Sequence, residues 1–140
     1  MFMKLPSAWI CGVRLKSLSP VEAVTGVRLR WINQNPFRSM FWAVQGMAAE
    51  FATGALVTYH IRESNEKVSM LVLNNKAHFS KKATGRIRFR CEDGERLQAA
   101  LQAALRTGEG QTVWMRAVGK NREGTVVSTF DFEWTLKVKS

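Results

Sequence analysis

Along most of the chain, apolar and polar residues alternate with period two, and the alternation is lost most clearly in one long stretch. Residues 12–18 (GVRLKSL) and 22–31 (EAVTGVRLRW) alternate, as strands with one buried face do. In the second of these, Ala23, Thr25, Val27, Leu29 and Trp31 share one face, and Arg28 and Arg30 share the other. Ser19-Pro20 marks the turn between them. The NQNPF segment at 33–37 reads as a loop, because Pro36 disfavours helix at Asn35. From Met40 to about Tyr59 the pattern becomes helical and apolar on nearly every face, with Ser39 as the candidate N-cap. Such a helix belongs inside something that wraps it.

The rest of the chain supplies the wrapping. RESNEK (62–67) is a polar loop. VSMLVLN (68–74) is apolar on both faces, which predicts a central strand. TGRIRFRCE (84–92) puts Ile87, Phe89 and Cys91 on one face and Arg86, Arg88 and Arg90 on the other. A Leu97/Leu101/Leu105 stripe between Asp93 and Gly108 reads as a short surface helix. Residues 111–120 and 124–139 form a hairpin through NREG. The order predicts an α+β fold in which an antiparallel sheet curls around one long helix. Parallel windings would need several comparable helices.

With 140 residues and no internal linker or repeat, the chain is read as one domain, 1–140. Cys11 and Cys91 lack neighbouring ligands, so neither a metal site nor a disulfide is expected, and free thiols suit a cytoplasmic protein. The opening MFMKLPSAWICGV lacks the apolar run and cleavage pattern of a leader. The long helix carries Gln45 and Glu50, which argues against a membrane span. The formal charge of +10 admits nucleic acid, an anionic membrane surface or an anionic small molecule. No recognition helix or stacking motif appears, and Trp31 and Trp134 fall on apolar faces, so no nucleic-acid partner is expected.

Glu50 is the residue that asks for chemistry. On a helical wheel it shares a side with Gly46, Thr53 and Gly54, and small residues there allow close approach of a backbone or ligand. A buried carboxylate needs a hydrogen-bond partner, a proton or a cavity. Burial raises its pKa toward the range of a general base. The other reading is a structural pairing of Glu50 with an arginine or with Gln45 across a subunit interface.

Two stretches, NQNPFRSMFWAVQGMAAEFATGAL (33–56) and HFSKKATGRIRFR (78–90), resemble the PaaI-like acyl-CoA thioesterases of the hotdog fold, in a poorly characterised branch. The resemblance runs from about Pro6 to Leu136. It implies hydrolysis of an acyl-CoA to a free acid and coenzyme A, with coenzyme A entering only as part of the substrate and no separate cofactor. It implies Glu50 as the catalytic carboxylate and Asn35, fifteen residues earlier, as its polar partner. It implies backbone donors for the oxyanion near Phe41 and Trp42. In this chain Phe41, Trp42 and Ala43 stand where the family has His-Gly-Gly. The resemblance also implies a site between two subunits, in a homodimer or a dimer of dimers.

Gln45, Thr53 and Ser69 are candidate lining residues, each with an ordinary packing role as the alternative. Lys81 and Lys82 are candidate partners for coenzyme A phosphates. Asn35 also suits a turn before Pro36. His60 and His78 test a dehydratase alternative and read as surface residues. A non-catalytic module that binds acyl-CoA or lipid is the other alternative.

Overall fold

The computed structural model describes residues 6–139; residues 1–5, part of the segment read above as lacking a leader pattern, lie outside the described residues, as does Ser140. A short helix, α1 (Pro6–Ile10), precedes β1 (Arg14–Leu18) and β2 (Ala23–Arg28). The long helix α2 (Trp42–Ser64) leads to β3 (Val68–Phe79) and β4 (Arg86–Cys91). α3 (Gly94–Thr107), β5 (Gln111–Lys120) and β6 (Val126–Val138) complete the chain. The strands form one antiparallel sheet in the order β1-β2-β4-β5-β6-β3. The sheet packs on α2, which is the hotdog architecture.

The core lies between the inner sheet face and α2. Ala48, Ala49, Ala52, Leu56 and Val57 of the helix meet Ile87, Phe89, Met115 and Leu136 of the strands, all fully buried. Small residues bring the helix axis close to the sheet. At Gly46 and Gly54 a Cβ would stand 3.5 Å from the Phe130 ring and 3.3 Å from Trp134. α3 adds Leu97 and Leu101 to the same core and ends at Gly108 in the left-handed region, φ 74°. α2 ends similarly at Asn65, φ 56°, whose N–H reaches Arg62 O.

The structure departs from the sequence pattern at four places. β2 stops at Arg28 because Asn33 folds back. Its Oδ1 accepts the Arg30 N–H (2.7 Å), and its Nδ2 donates to Cys11 O and Arg28 O. Trp31 therefore sits in a 3-10 turn (Trp31–Asn33) and is 84% exposed, not turned inward. β3 is five residues longer than expected and lies at the sheet edge, because two apolar faces cannot distinguish a central strand from an uncovered one. Ser39 does not cap α2: Asn35 Oδ1 takes its N–H, and Phe41 is the N-cap without a side-chain bond.

His60 is the fourth. The helix continues past it to Ser64, and the imidazole is 6% exposed with Nε2 2.8 Å from Pro20 O, so the nitrogen donates to that carbonyl. The Pro20–Val21 turn is gripped again by α3, where Gly94 N–H bonds Val21 O at 3.1 Å. A Cβ at Gly94 would collide with Pro20 O and stand 2.6 Å from Val21 Cα. Gly94→Ala is expected to destabilise the chain by at least about 2 kcal/mol, because a backbone cannot yield as a side chain does. The measurement is a lower urea midpoint with an unchanged slope.

Candidate functional site

Seven of the nine residues singled out from sequence line one of two cavities beside α2. The first, about 620 Å³, lies between the α2 N-terminus and the turn from β3 to β4. Asn35, Phe41, Trp42, Gln45, Lys81 and Lys82 all line it, so six of the candidates are brought together. The turn is held by Ser80 and Lys81 N–H groups on Val127 O and by Met40 N–H on Ala83 O (2.8 Å).

The side chains in this cavity have distinct jobs. Asn35 organises its own loop, accepting N–H bonds from Phe37 (2.9 Å) and Ser39 (3.2 Å) and donating to Ser39 Oγ. Gln45 is buried, with Nε2 donating to Met40 O and Oε1 accepting from Ser128 Oγ at 2.7 Å. Within the chain it is therefore not the partner of Glu50. Phe41 N–H is taken by Asn33 O at 2.9 Å. Val44 and Gln45 N–H groups turn back to Phe41 O. Among the described residues, the N–H groups of Trp42 and Ala43 have no partner, and they point out of the first helical turn. Of the two oxyanion donors expected from sequence, only Trp42 has its N–H free.

The second cavity, about 910 Å³, contains Glu50. Leu15, Leu18, Phe51, Met70 and Trp134 make its walls apolar, and Arg14, Arg62 and Glu63 add charge. Glu50 is not buried as its helix pattern suggested, since it faces this opening and solvent reaches it. Among the described residues no side chain hydrogen bonds or pairs with its carboxylate. Partial desolvation by the cavity walls raises its pKa above the ordinary glutamate value.

Thr53 and Ser69 line neither cavity. Thr53 is buried beneath the second one: its hydroxyl donates to Glu50 O and accepts from Trp134 Nε1, both at 2.9 Å. Ser69 is exposed, near Lys137 O. Sequence reasoning missed Trp134 and α1. Trp134 lays its indole against Gly54 and floors the Glu50 cavity; its alternation with Phe130 and Phe132 signalled burial but not that position. α1 brings Trp9 to the rim, where Arg14 lies 3.6 Å over its ring, and a five-residue helix carries no periodic signal. Cys91 is an inert thiol, its pKa pushed up to about 12 by burial.

Similar structures share this arrangement of elements. A protein of unknown function from Pseudomonas aeruginosa, described as a probable thioesterase, superposes with a TM-score of 0.86 at 21% identity, over 99% of this chain and 91% of that one. A protein of unknown function from Chlorobaculum tepidum gives 0.85 at 20%, over 99% and 90%. A thioesterase from Staphylococcus aureus, crystallised as a glutamine-to-alanine variant, gives 0.72 at 15%, over 96% and 98%. At these identities the likeness shows the fold. Nothing matches among curated proteins. One family model matches residues 1–136, and the chain thus belongs to the hotdog-fold family described as a domain of unknown function, DUF4442.

Proposed function

We propose that the protein is a thioesterase that hydrolyses an acyl-CoA at a site completed by a second copy of the chain. The observation that carries this is the unpaired, partly desolvated Glu50 carboxylate in an apolar cavity on the same helix as two free N–H groups. Glu50 accepts a proton from water, and the hydroxide adds to the thioester carbonyl. Backbone N–H groups at the helix start hold the oxyanion. The C–S bond then breaks, and the thiolate takes the proton back as the acid leaves. Direct attack by Glu50, giving an anhydride that water opens, uses the same groups.

Distance supports a site built from two copies. Trp42 and Glu50 are eight residues apart on α2, about 12 Å along the axis. A carbonyl needs its attacking group and its oxyanion donors each about 3 Å away. An antiparallel pairing about a twofold axis would set the Glu50 of one helix beside the Trp42 N–H of the other. The free edge of β3 offers such a pairing. Met70 near its start lines the Glu50 cavity and Phe79 at its end lines the other, so antiparallel edges bring unlike cavities together. Asn35 shapes the loop of the first cavity, and Lys81 and Lys82 stand at its mouth for coenzyme A phosphates.

The relatives lend support. In the Staphylococcus aureus protein a glutamine and a glutamate, fifteen positions apart, have each been replaced by alanine. Asn35 and Glu50 have the same interval here. A dehydratase is disfavoured because His60 is spent on Pro20 O and lies about 15 Å beyond Glu50 along the helix. A non-catalytic acyl-CoA or lipid module is the second reading, favoured by Trp42, which is 60% exposed where the PaaI-like thioesterases that the sequence resembles have glycine.

On an acyl-CoA panel, Glu50→Gln should lower kcat by about 10²–10⁴. A carboxyl with a raised folded-state pKa costs stability once ionised, so the variant should melt at the same or a higher temperature at pH 7. Acyl-CoA binding without turnover by the unaltered protein would instead select the binding module. Glu50 works ionised and its pKa is raised, so the acid limb of the pH–rate profile should fall above 4.5, the ordinary glutamate value. Trp42→Pro removes the N–H at a helix position where proline is tolerated. Mixing two inactive variants, Glu50→Gln and Trp42→Pro, should restore about a quarter of the activity by forming mixed dimers with one intact site. A site within one chain would give no recovery.

A further inference from the structure

The arginines of β4 are absorbed by none of this. Arg86, Arg88 and Arg90 point to the outer face of the sheet, away from α2, and line a groove of about 270 Å³ together with Lys120. Among the described residues that line it, four cations face one carboxylate, that of Glu92. The strand register sets like charges directly opposite each other: Arg28 faces Arg86, and Arg88 faces Lys120. On its other side Arg88 faces Gly26, over which the Lys16 stem lies. Like charges opposite each other in a sheet are destabilising. Among the described residues, only Arg90 in this row has an ion-pair partner, Glu22 at 3.1 Å. The Nε of Arg86 is buried and has no hydrogen-bond partner. A buried guanidinium donor left unpaired is costly, and a bound acceptor would satisfy it.

We infer that this groove binds phosphate groups of a small phosphorylated ligand. Guanidinium forks match phosphate oxygens in pairs, and Lys120 adds a point charge. The groove's volume suits a diphosphate-sized anion and not a folded partner. Its far rim is a rigid turn: Asn121 Oδ1 accepts N–H bonds from Glu123 (3.1 Å) and Thr125 (2.9 Å). Among the described residues no aromatic side chain lines the groove, so these offer no base-stacking platform. The phosphates have two possible sources. One is the nucleotide end of the substrate proposed above, since Arg86 follows Ala83 of the helix-start cavity by three residues, a reach of about 10 Å. The other is a separate phosphorylated effector.

The test is titration calorimetry of the full chain with inorganic pyrophosphate, which needs no turnover and so stands apart from the thioesterase reading. Binding is expected. Arg88→Gln, at an exposed position that leaves the core untouched, and Arg86→Gln should each weaken it at least about tenfold. Arg106→Gln, in the exposed last turn of α3 and away from the groove, should leave it unchanged. Absence of pyrophosphate binding, or binding that survives both arginine variants, overturns the inference. So does tight, steeply salt-dependent binding of oligonucleotides with none of pyrophosphate. Where binding holds, the source is read from KM. If Arg88→Gln raises KM for acyl-CoA but not for the phosphate-free acyl-pantetheine, the groove serves the substrate. KM left unchanged by Arg88→Gln for both substrates, with pyrophosphate binding lost, assigns it to an effector.

Discussion

Close packing of a small-residue helix face against the sheet is the constraint on which the molecule depends. Alanines at 48, 49, 52 and 55 and glycines at 46 and 54 let α2 settle onto the strands until the rings of Phe130 and Trp134 lie against its backbone. A larger residue at Gly54 would lift the helix from Trp134, whose N–H is fixed on Thr53. The same bond ties the helix turn that carries Glu50 to the sheet, because the Thr53 hydroxyl also donates to Glu50 O. Core packing and positioning of the candidate carboxylate are one arrangement.

That arrangement leaves the opposite side of α2 under-covered. Six strands bury one broad face of the helix, and Met47, Glu50 and Phe51 stay at least partly accessible. The cavities follow directly from this geometry. An apolar helix face without a cover is costly, and a carboxylate placed in it is spared full desolvation only because the space is open. The local chemistry at Glu50 is a compromise between burial, which raises its proton affinity, and access, which lets water in.

Much of this was legible in the residues. The alternation of Ile87, Phe89 and Cys91 with arginines, the leucine stripe of α3 and the hairpin at NREG all appear as read, because local periodicity governs them. The wrapped long helix followed from its composition. What was not legible depends on distant groups. Trp31 leaves its strand because Asn33 bonds to Cys11 and Arg28. His60 is buried because a turn forty residues earlier offers a carbonyl. The edge position of β3 is a matter of topology, which its own pattern does not encode. At the site, the grouping of Asn35, Trp42 and Lys81 was within reach of sequence. The separation of Glu50 into its own cavity was not, because it rests on which side of α2 the sheet covers.

The uncovered edge of β3 has a further meaning. A strand edge is recognised chiefly through its backbone, which is the same in every protein with this fold. Any other hotdog chain with a free edge of similar length is a potential mate. Discrimination must then come from the few side chains that border the seam: the exposed Leu71 and Leu73, the bulge between Val72 and Asn74, and Lys76. In the dimer proposed above, these positions would decide which chain a newly made copy joins, and so which helix start each Glu50 is given.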